Sequence, residues 1–221
     1  MPGDETERIN LIVLFGGQSA EHDVSCTTAA HVLAAADPAK YDITPIGIST
    51  DGQWALADGA LAALRQGPGA LPARLDPSGS DVSPTPMLAS ASAAQGQTVV
   101  MPLLHGPMGE DGTVQGLLEL AGLAYVGSGV LGSAVAMDKA MAKQVCTAAG
   151  IPQARYRAFA EHELTAVLAQ DIADDLGLPA FVKPANMGSS IGVSRATTIE
   201  ELRDAIELAL SYDEMIVVEE A

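Results

Sequence analysis

The 221-residue chain carries 28 acidic but only 11 basic side chains, giving a formal charge of −17 and a pI near 4.3. That balance excludes nonspecific attachment to nucleic acid or an anionic membrane, so any anion site must be assembled from a few placed lysines and backbone amides. With 48% apolar residues and a mean hydropathy of +0.22, the chain reads as globular and long enough for one large core or two small ones.

The start, MPGDETER, is acidic and lacks the basic stretch of a secretory leader. INLIVLF, residues 9–15, is continuously apolar and bounded by glycines, which predicts a buried parallel strand. A helix is expected over 24–36, closed by Asp37–Pro38, and a second strand over 41–49. This β-α-β spacing implies an open α/β sheet. Residues 57–97 change texture to an Ala/Gly/Pro/Ser stretch with almost no strand pattern. They are expected to form a loosely structured insertion with one short helix at 60–65. A strand at 98–105, a helix at 112–121, a short strand at 124–126 and a helix at 131–149 follow. The longest uncharged run, AGLAYVGSGVLGSAVAM, is too rich in Gly and Ser and slightly too short for a membrane span. Beyond Gly150–Ile151–Pro152 the order becomes β-α-β-β-α-β, that of a split sandwich with mostly antiparallel strands. The last residues, MIVVEEA, read as a strand broken off without turn or cap, so the polypeptide reads as truncated, with an open, aggregation-prone edge at 214–221.

Cys26 and Cys146 lie far apart with no CxxC spacing, which suggests neither a zinc site nor a disulfide framework and fits a reducing cytoplasm. Cys146 is expected to be a buried small hydrophobe. His22, Asp23 and His31 lack further metal ligands at sensible spacing. GSGVLG, 127–132, matches GxGxxG, but no acid ends a strand about 20 residues on. A small-residue turn feeding a packed helix is the better reading. There is no Walker A loop and no GxSxG elbow.

FVKPANMGSSIGV, 181–193, is the stronger nucleotide candidate. Lys183 ends an apolar strand, and the Gly188–Gly192 turn offers backbone N–H groups and the hydroxyls of Ser189 and Ser190 to phosphate oxygens. Lys139 and Lys143, at i and i+4, share one helix face. Two lysines from different domains plus this hairpin would suffice for a triphosphate, although an ordinary hairpin and a solvated helix face explain the same residues. HGPMGEDGTVQG, 105–116, follows a strand just as FGG does, and ligands of open α/β sheets sit outside the carboxyl ends of strands. Glu21 and His105 are thus expected to project into one crevice. Acids near a helix start also offset its dipole, so Glu21, Asp23 and Glu110–Asp111 have a purely structural explanation too.

Together, FGGQSAEHDVS, HGPMGEDGTVQG, YVGSG, SAVAMDKAMAK and FVKPANMGSSIGVS resemble the D-alanine–D-alanine ligases of the ATP-grasp superfamily, in that family's order from about residue 9 onward. The resemblance implies an α/β fold. A Rossmann-like open parallel sheet (the pre-ATP-grasp domain, 1–136) would precede an α+β ATP-grasp subdomain over 137–221, with the C-terminal part missing. It implies ATP-dependent joining of two D-alanines through a D-alanyl phosphate for peptidoglycan synthesis, with ATP and magnesium as cofactors and a homodimer as the assembly. By the family's pattern Glu21 holds the first D-alanine's ammonium, with His105 beside it. Lys139 and Lys183 hold ATP phosphates, Ser189 of the GSS loop closes over the substrates, and Glu219 marks the adenine pocket. The family's R-x-D and E-x-N segments, which bind magnesium and stabilise the transition state, belong to a second half with no counterpart here. The chain alone is therefore expected to be inactive. A D-alanine–D-lactate ligase shares nearly every quoted motif. A noncatalytic binding or assembly module is the reading from a different class.

Overall fold

The continuous apolar run at the start of the chain has a two-sided explanation in the computed structural model, which describes residues 8–221. The acidic start, apart from Arg8, lies outside the described residues. Strand β1, Ile9–Gly16, runs between β2, Tyr41–Ile48, and β5, Thr98–Pro102, parallel to both. Its alternate residues face different layers: Leu11, Val13 and Phe15 enter one buried cluster, Ile12 and Leu14 the other. A strand covered on both faces has no polar side to display. The first layer is α1, His22–Ala35, which buries Cys26, Ala29, Ala30 and Leu33, joined by Ala60 of α2, Asp58–Gln66. The second holds Leu88 of α3, Pro84–Ala93, and Val114 and Leu118 of α4, Thr113–Leu120. With β3 (Trp54–Leu56), β4 (Ser80–Asp81) and β6 (Ala124–Tyr125) the six-stranded sheet has the order β4-β3-β2-β1-β5-β6. β6 continues the parallel pairing, whereas β3 and β4 add antiparallel strands at the other edge.

The stretch 57–97 is not loosely structured. It supplies α2, a single helical turn at Pro68–Ala70, β4 and α3, and it anchors Leu75 and Leu88 in opposite clusters, each 1% exposed. The Leu75 N–H donates to the Cys26 carbonyl at 3.2 Å. The Pro77 backbone lies so close over Gly47 of β2 that a Cβ there would come within 2.1 Å of the Pro77 carbonyl oxygen. Single leucines spaced among prolines and glycines have no period, so local pattern hides their burial.

Contacts divide the chain into two units, up to Gly132 and from Ser133, where the boundary expected from the sequence fell at 136/137. The expected helix 131–149 is two helices. α5, Val130–Met137, is followed by α6, Lys139–Ala148, with Asp138 between them in extended conformation, its side chain accepting the Met141 N–H at 2.9 Å. An N-cap of this kind stabilises a helix start by about 1 kcal/mol, and here it begins a new helix in the middle of an apolar run. α5 buries only Ser133 and leaves Leu131 77% exposed, so the turn at 127–132 does not feed a packed helix. Because α6 buries only Ala140, near its start, Cys146 is half-buried rather than buried.

The second unit carries β7 (Tyr156–Ala160), α7 (Leu168–Leu176), β8 (Ala180–Pro184), β9 (Ser194–Ala196), α8 (Ile199–Leu210) and β10 (Met215–Glu220). The expected helix 162–176 shortens to α7 preceded by one turn, Glu161–Glu163. All pairings are antiparallel, in the order β7-β10-β8-β9. β10 is thus a central strand and not an open edge, because β7 and β8 flank it. One sheet face packs Phe159, Val182, Ile216 and Val218 on α7 and α8. The other gathers Ala185, Val217, Tyr156 and Ala158 around Ala140 of α6. Among the described residues no helix is long and apolar enough to cross a membrane.

Candidate functional site

In the first unit, the chain leaves the carboxyl ends of β1 and β5 under tight control. The wholly buried Ser25 hydroxyl accepts the Gly16 N–H at 2.8 Å and donates to the Leu103 carbonyl at 2.6 Å, tying the two strand ends together. One step outward, Ser19 Oγ donates to the His105 carbonyl at 2.7 Å and receives the Glu21 N–H at 3.2 Å. The backbones at Glu21 and His105 therefore meet through one hydroxyl, after two adjacent strands. Gly106 has φ +70, and a Cβ there would sit 3.0 Å from Glu21 Oε2, so the glycine lets the carboxylate approach the backbone. Sequence reasoning named neither Ser19 nor Ser25, although both stand in the quoted FGGQSAEHDVS stretch.

The acids of the 105–116 loop are engaged in holding it. Glu110 accepts the Gly106 N–H at 2.6 Å. Asp111 accepts those of Met108 and Thr113 at 2.8 and 2.9 Å. Burial raises the Asp111 carboxyl, but these backbone bonds outweigh it and hold it below the ordinary carboxylate range. Buried Gln115 donates to the Gly109 carbonyl at 2.9 Å. His22 bonds the Gly17 carbonyl through Nδ1 at 2.7 Å, and Asp23 pairs with Arg74 at 2.6 Å, so both act in the local structure of the turn. His105 differs: its Nε2 is buried without a hydrogen-bond partner among the described residues. An unmade bond of that kind costs about 1–3 kcal/mol, which a bound molecule can return. A cavity of about 160 Å³ opens beside it, lined by Gly17, Gln18, Trp54, Leu104 and Thr113 among others; Glu21 is not in that lining.

In the second unit the charged residues lie on the α6 side of the sheet. Lys183 pairs in register with Val217, and Glu219 is its diagonal neighbour on the same face. Lys183 forms a short ion pair with Glu219, whose other oxygen meets Lys143 at 2.9 Å. The Lys143 ammonium also sits 4.8 Å above the Tyr156 ring. Burial would push the Glu219 carboxyl up, yet the hydrogen bonds and charges of Lys183 and Lys143 overcome it and hold it below the usual range. Lys139 points its ammonium at the carbonyls of Met187 and Ala185, 2.6 and 3.2 Å away, at the base of the Gly/Ser loop. Burial, and then the charge of Lys183, press its pKa below that of a free lysine. Lys139 and Lys183 thus belong to one unit, not to two domains, because that unit begins at Ser133 and α6 packs through Ala140 against the antiparallel sheet. Ser189 and Ser190 are exposed on the loop between β8 and β9, with φ of 46° and 57°. Two consecutive non-glycine residues in the left-handed region are strained, a feature found where a loop meets a ligand.

Solved structures share this arrangement. A D-Ala:D-Ser ligase, VanG, from Enterococcus faecalis superposes with a TM-score of 0.78 at 35% identity over 97% of this chain and 63% of that one. A D-alanine-D-alanine ligase from Coxiella burnetii gives 0.78 at 31% identity, over 97% and 64%. The fold is thus the mixed, largely parallel α/β sheet of such ligases. Two family models match in sequence, "D-ala D-ala ligase N-terminus" over residues 10–128 and "D-ala D-ala ligase C-terminus" over 145–221. D-alanine–D-alanine ligases of Mycolicibacterium vanbaalenii and Deinococcus radiodurans are 44% and 47% identical over 98% and 95% of the chain. The chain belongs to the D-alanine–D-alanine ligase family. It spans about three fifths of the length of these curated relatives, 61% and 59% respectively.

Proposed function

We propose that this polypeptide forms the D-alanine-binding domain and the ATP-grasp nucleotide-binding subdomain of a ligase that joins two D-alanines with ATP, serving peptidoglycan synthesis in the cytoplasm. The observation that carries this reading is the approach of the Glu21 carboxylate to Gly106 at the carboxyl ends of two adjacent parallel strands, next in sequence to His105, whose Nε2 is buried without a hydrogen-bond partner among the described residues. Glu21 is suited to receive the ammonium of the first D-alanine, and His105 to complete its hydrogen bonding. Lys139 and Lys183 supply positive charge to the ATP phosphates. Ser189 and Ser190 offer hydroxyls and a strained backbone turn to the same groups, and Glu219 marks the nucleotide pocket. Charge and position of this kind contribute to acyl-phosphate chemistry, since phosphoryl transfer needs little covalent help. They do not complete it without a metal site, and this chain by itself is expected to be inactive. Among the described residues no group of three or more His, Cys, Asp or Glu side chains converges as metal ligands do, so no step is assigned to magnesium.

The test is calorimetric titration of the chain with D-alanine. Glu21→Gln is expected to weaken binding by roughly 10–150-fold, the range for losing a hydrogen bond to a charged group. Equal affinity in the variant would remove Glu21 from the site. D-serine and D-lactate belong in the same series, because the matched VanG structure is a D-Ala:D-Ser ligase.

A homodimer is part of the proposal. Leu120 and Leu131 are 92% and 77% exposed on the first unit, apolar side chains of the kind that a second copy would cover. Sedimentation at rising concentration is expected to show dimers, and a monomer throughout would refute the assembly.

A further inference from the structure

The chain has four lysines, at positions 40, 139, 143 and 183. Three of them, Lys139, Lys143 and Lys183, lie on the α6 side of one small sheet in a protein of formal charge −17. A cation cluster in so acidic a chain calls for an explanation beyond folding. One lysine on Glu219 would suffice to tie α6 to β10, yet the carboxylate holds two, with side chains only 13% (Lys143) and 24% (Lys183) exposed. Nearby Asp138 and Asp213 are occupied at backbone N–H groups, of Met141 and of Asn186 and Met215 respectively. Among the described residues Lys143 has one carboxylate, already shared with Lys183, and a tyrosine face.

We infer that Lys143 is a third lysine for the nucleotide's phosphates, held ready by Glu219 until an anion arrives. This rests on the reading of the second unit as the ATP-binding one. Lys143 stands one helical turn from Lys139 on the same face of α6 and shares its counter-ion with Lys183. An incoming polyphosphate that draws Lys183 away therefore acts on the partner of Lys143 as well. Two ammonium groups crowded on one carboxylate leave positive charge that a polyanion satisfies better than a single carboxylate does. The Lys143 ammonium also rests over the Tyr156 ring, 4.8 Å from its centroid, a neutral partner that an anion can outcompete.

The experiment compares ATP and adenosine as titrants of the wild-type chain, Lys143→Met and Lys143→Arg in metal-free buffer. Lys143→Met is expected to lose about tenfold in ATP affinity, some 1.4 kcal/mol, while its adenosine affinity stays within about twofold. Lys143→Arg is expected to return ATP binding to within about threefold of wild type. An unchanged ATP affinity in Lys143→Met overturns the inference. So does an equal loss of ATP and adenosine, which would mark Lys143 as a structural tie. A second measurement needs no substitution that might disturb folding. Nitrogen-15 spectra of the four lysine ammonium groups are expected to show Lys143 moving with Lys139 and Lys183 on addition of ATP, with Lys40 still; a Lys143 signal as still as that of Lys40 overturns the inference. Failure of the wild-type chain to bind ATP at all would overturn the nucleotide reading itself. Intact binding with an unmoved Lys143 would overturn this inference alone.

Discussion

Leu75→Ala is expected to destabilise the first unit by about 2–5 kcal/mol, the cost of emptying a leucine site in a closed core. Leu75 is 1% exposed and packs with Val13, Phe15, Cys26 and Leu33 under the sheet. Its neighbours belong to β1 and α1, so the cavity would open beneath the strand that ends at the Glu21 turn. Urea denaturation of the variant is the check. A change under about 0.5 kcal/mol, typical of surface substitutions, would mean that the stretch 57–97 lies loosely on the domain after all. The prediction separates an insertion that decorates a fold from one that completes its core.

Lys183→Ala is expected to lose roughly 10–150-fold in ATP affinity, as for removal of a charge-assisted hydrogen bond. Stability should change by less than about 3–5 kcal/mol, the cost of leaving a buried charge uncompensated, because Glu219 keeps Lys143 as a partner at 2.9 Å. Isothermal titration together with a melting curve tests both halves. An unaltered ATP affinity would take the phosphate site away from the β8 loop.

What could be read from the sequence followed from how local each signal is. The run INLIVLF announced a strand buried on both sides, and the β-α-β-β-α-β order of the second unit emerged from periodicity and turn residues alone. The meeting of the backbones at Glu21 and His105 was legible because both residues follow strands, and the sheet places the carboxyl ends of those strands side by side. Other features depend on tertiary contacts that no local pattern carries. Leu75 and Leu88 look like any leucine among prolines and glycines until a sheet face covers each. The break at Asp138 was masked by the apolar, Ala-rich run on both sides of a single capping acid. Lys143 was placed on the face of Lys139, but its bond to Glu219 spans 76 residues of sequence and needs the sheet to exist. The strand order β7-β10-β8-β9 is equally nonlocal, and from sequence β10 looked like an edge.

That strand order has a consequence for how the polypeptide is made. β8 and β9 form a hairpin by themselves, but among the described residues β7 is paired only with β10, and β10 is the strand that joins it to β8. During synthesis from the N-terminus, β7 is translated more than fifty residues before β10, its partner, because Tyr156 and Met215 open the two strands. Through that interval the apolar face under α7 and α8 lacks Ile216 and Val218, the residues that close it. The first unit can condense on the nascent chain while the second waits, and the waiting intermediate, rather than the finished sheet, is where chaperone dependence and misassembly would concentrate.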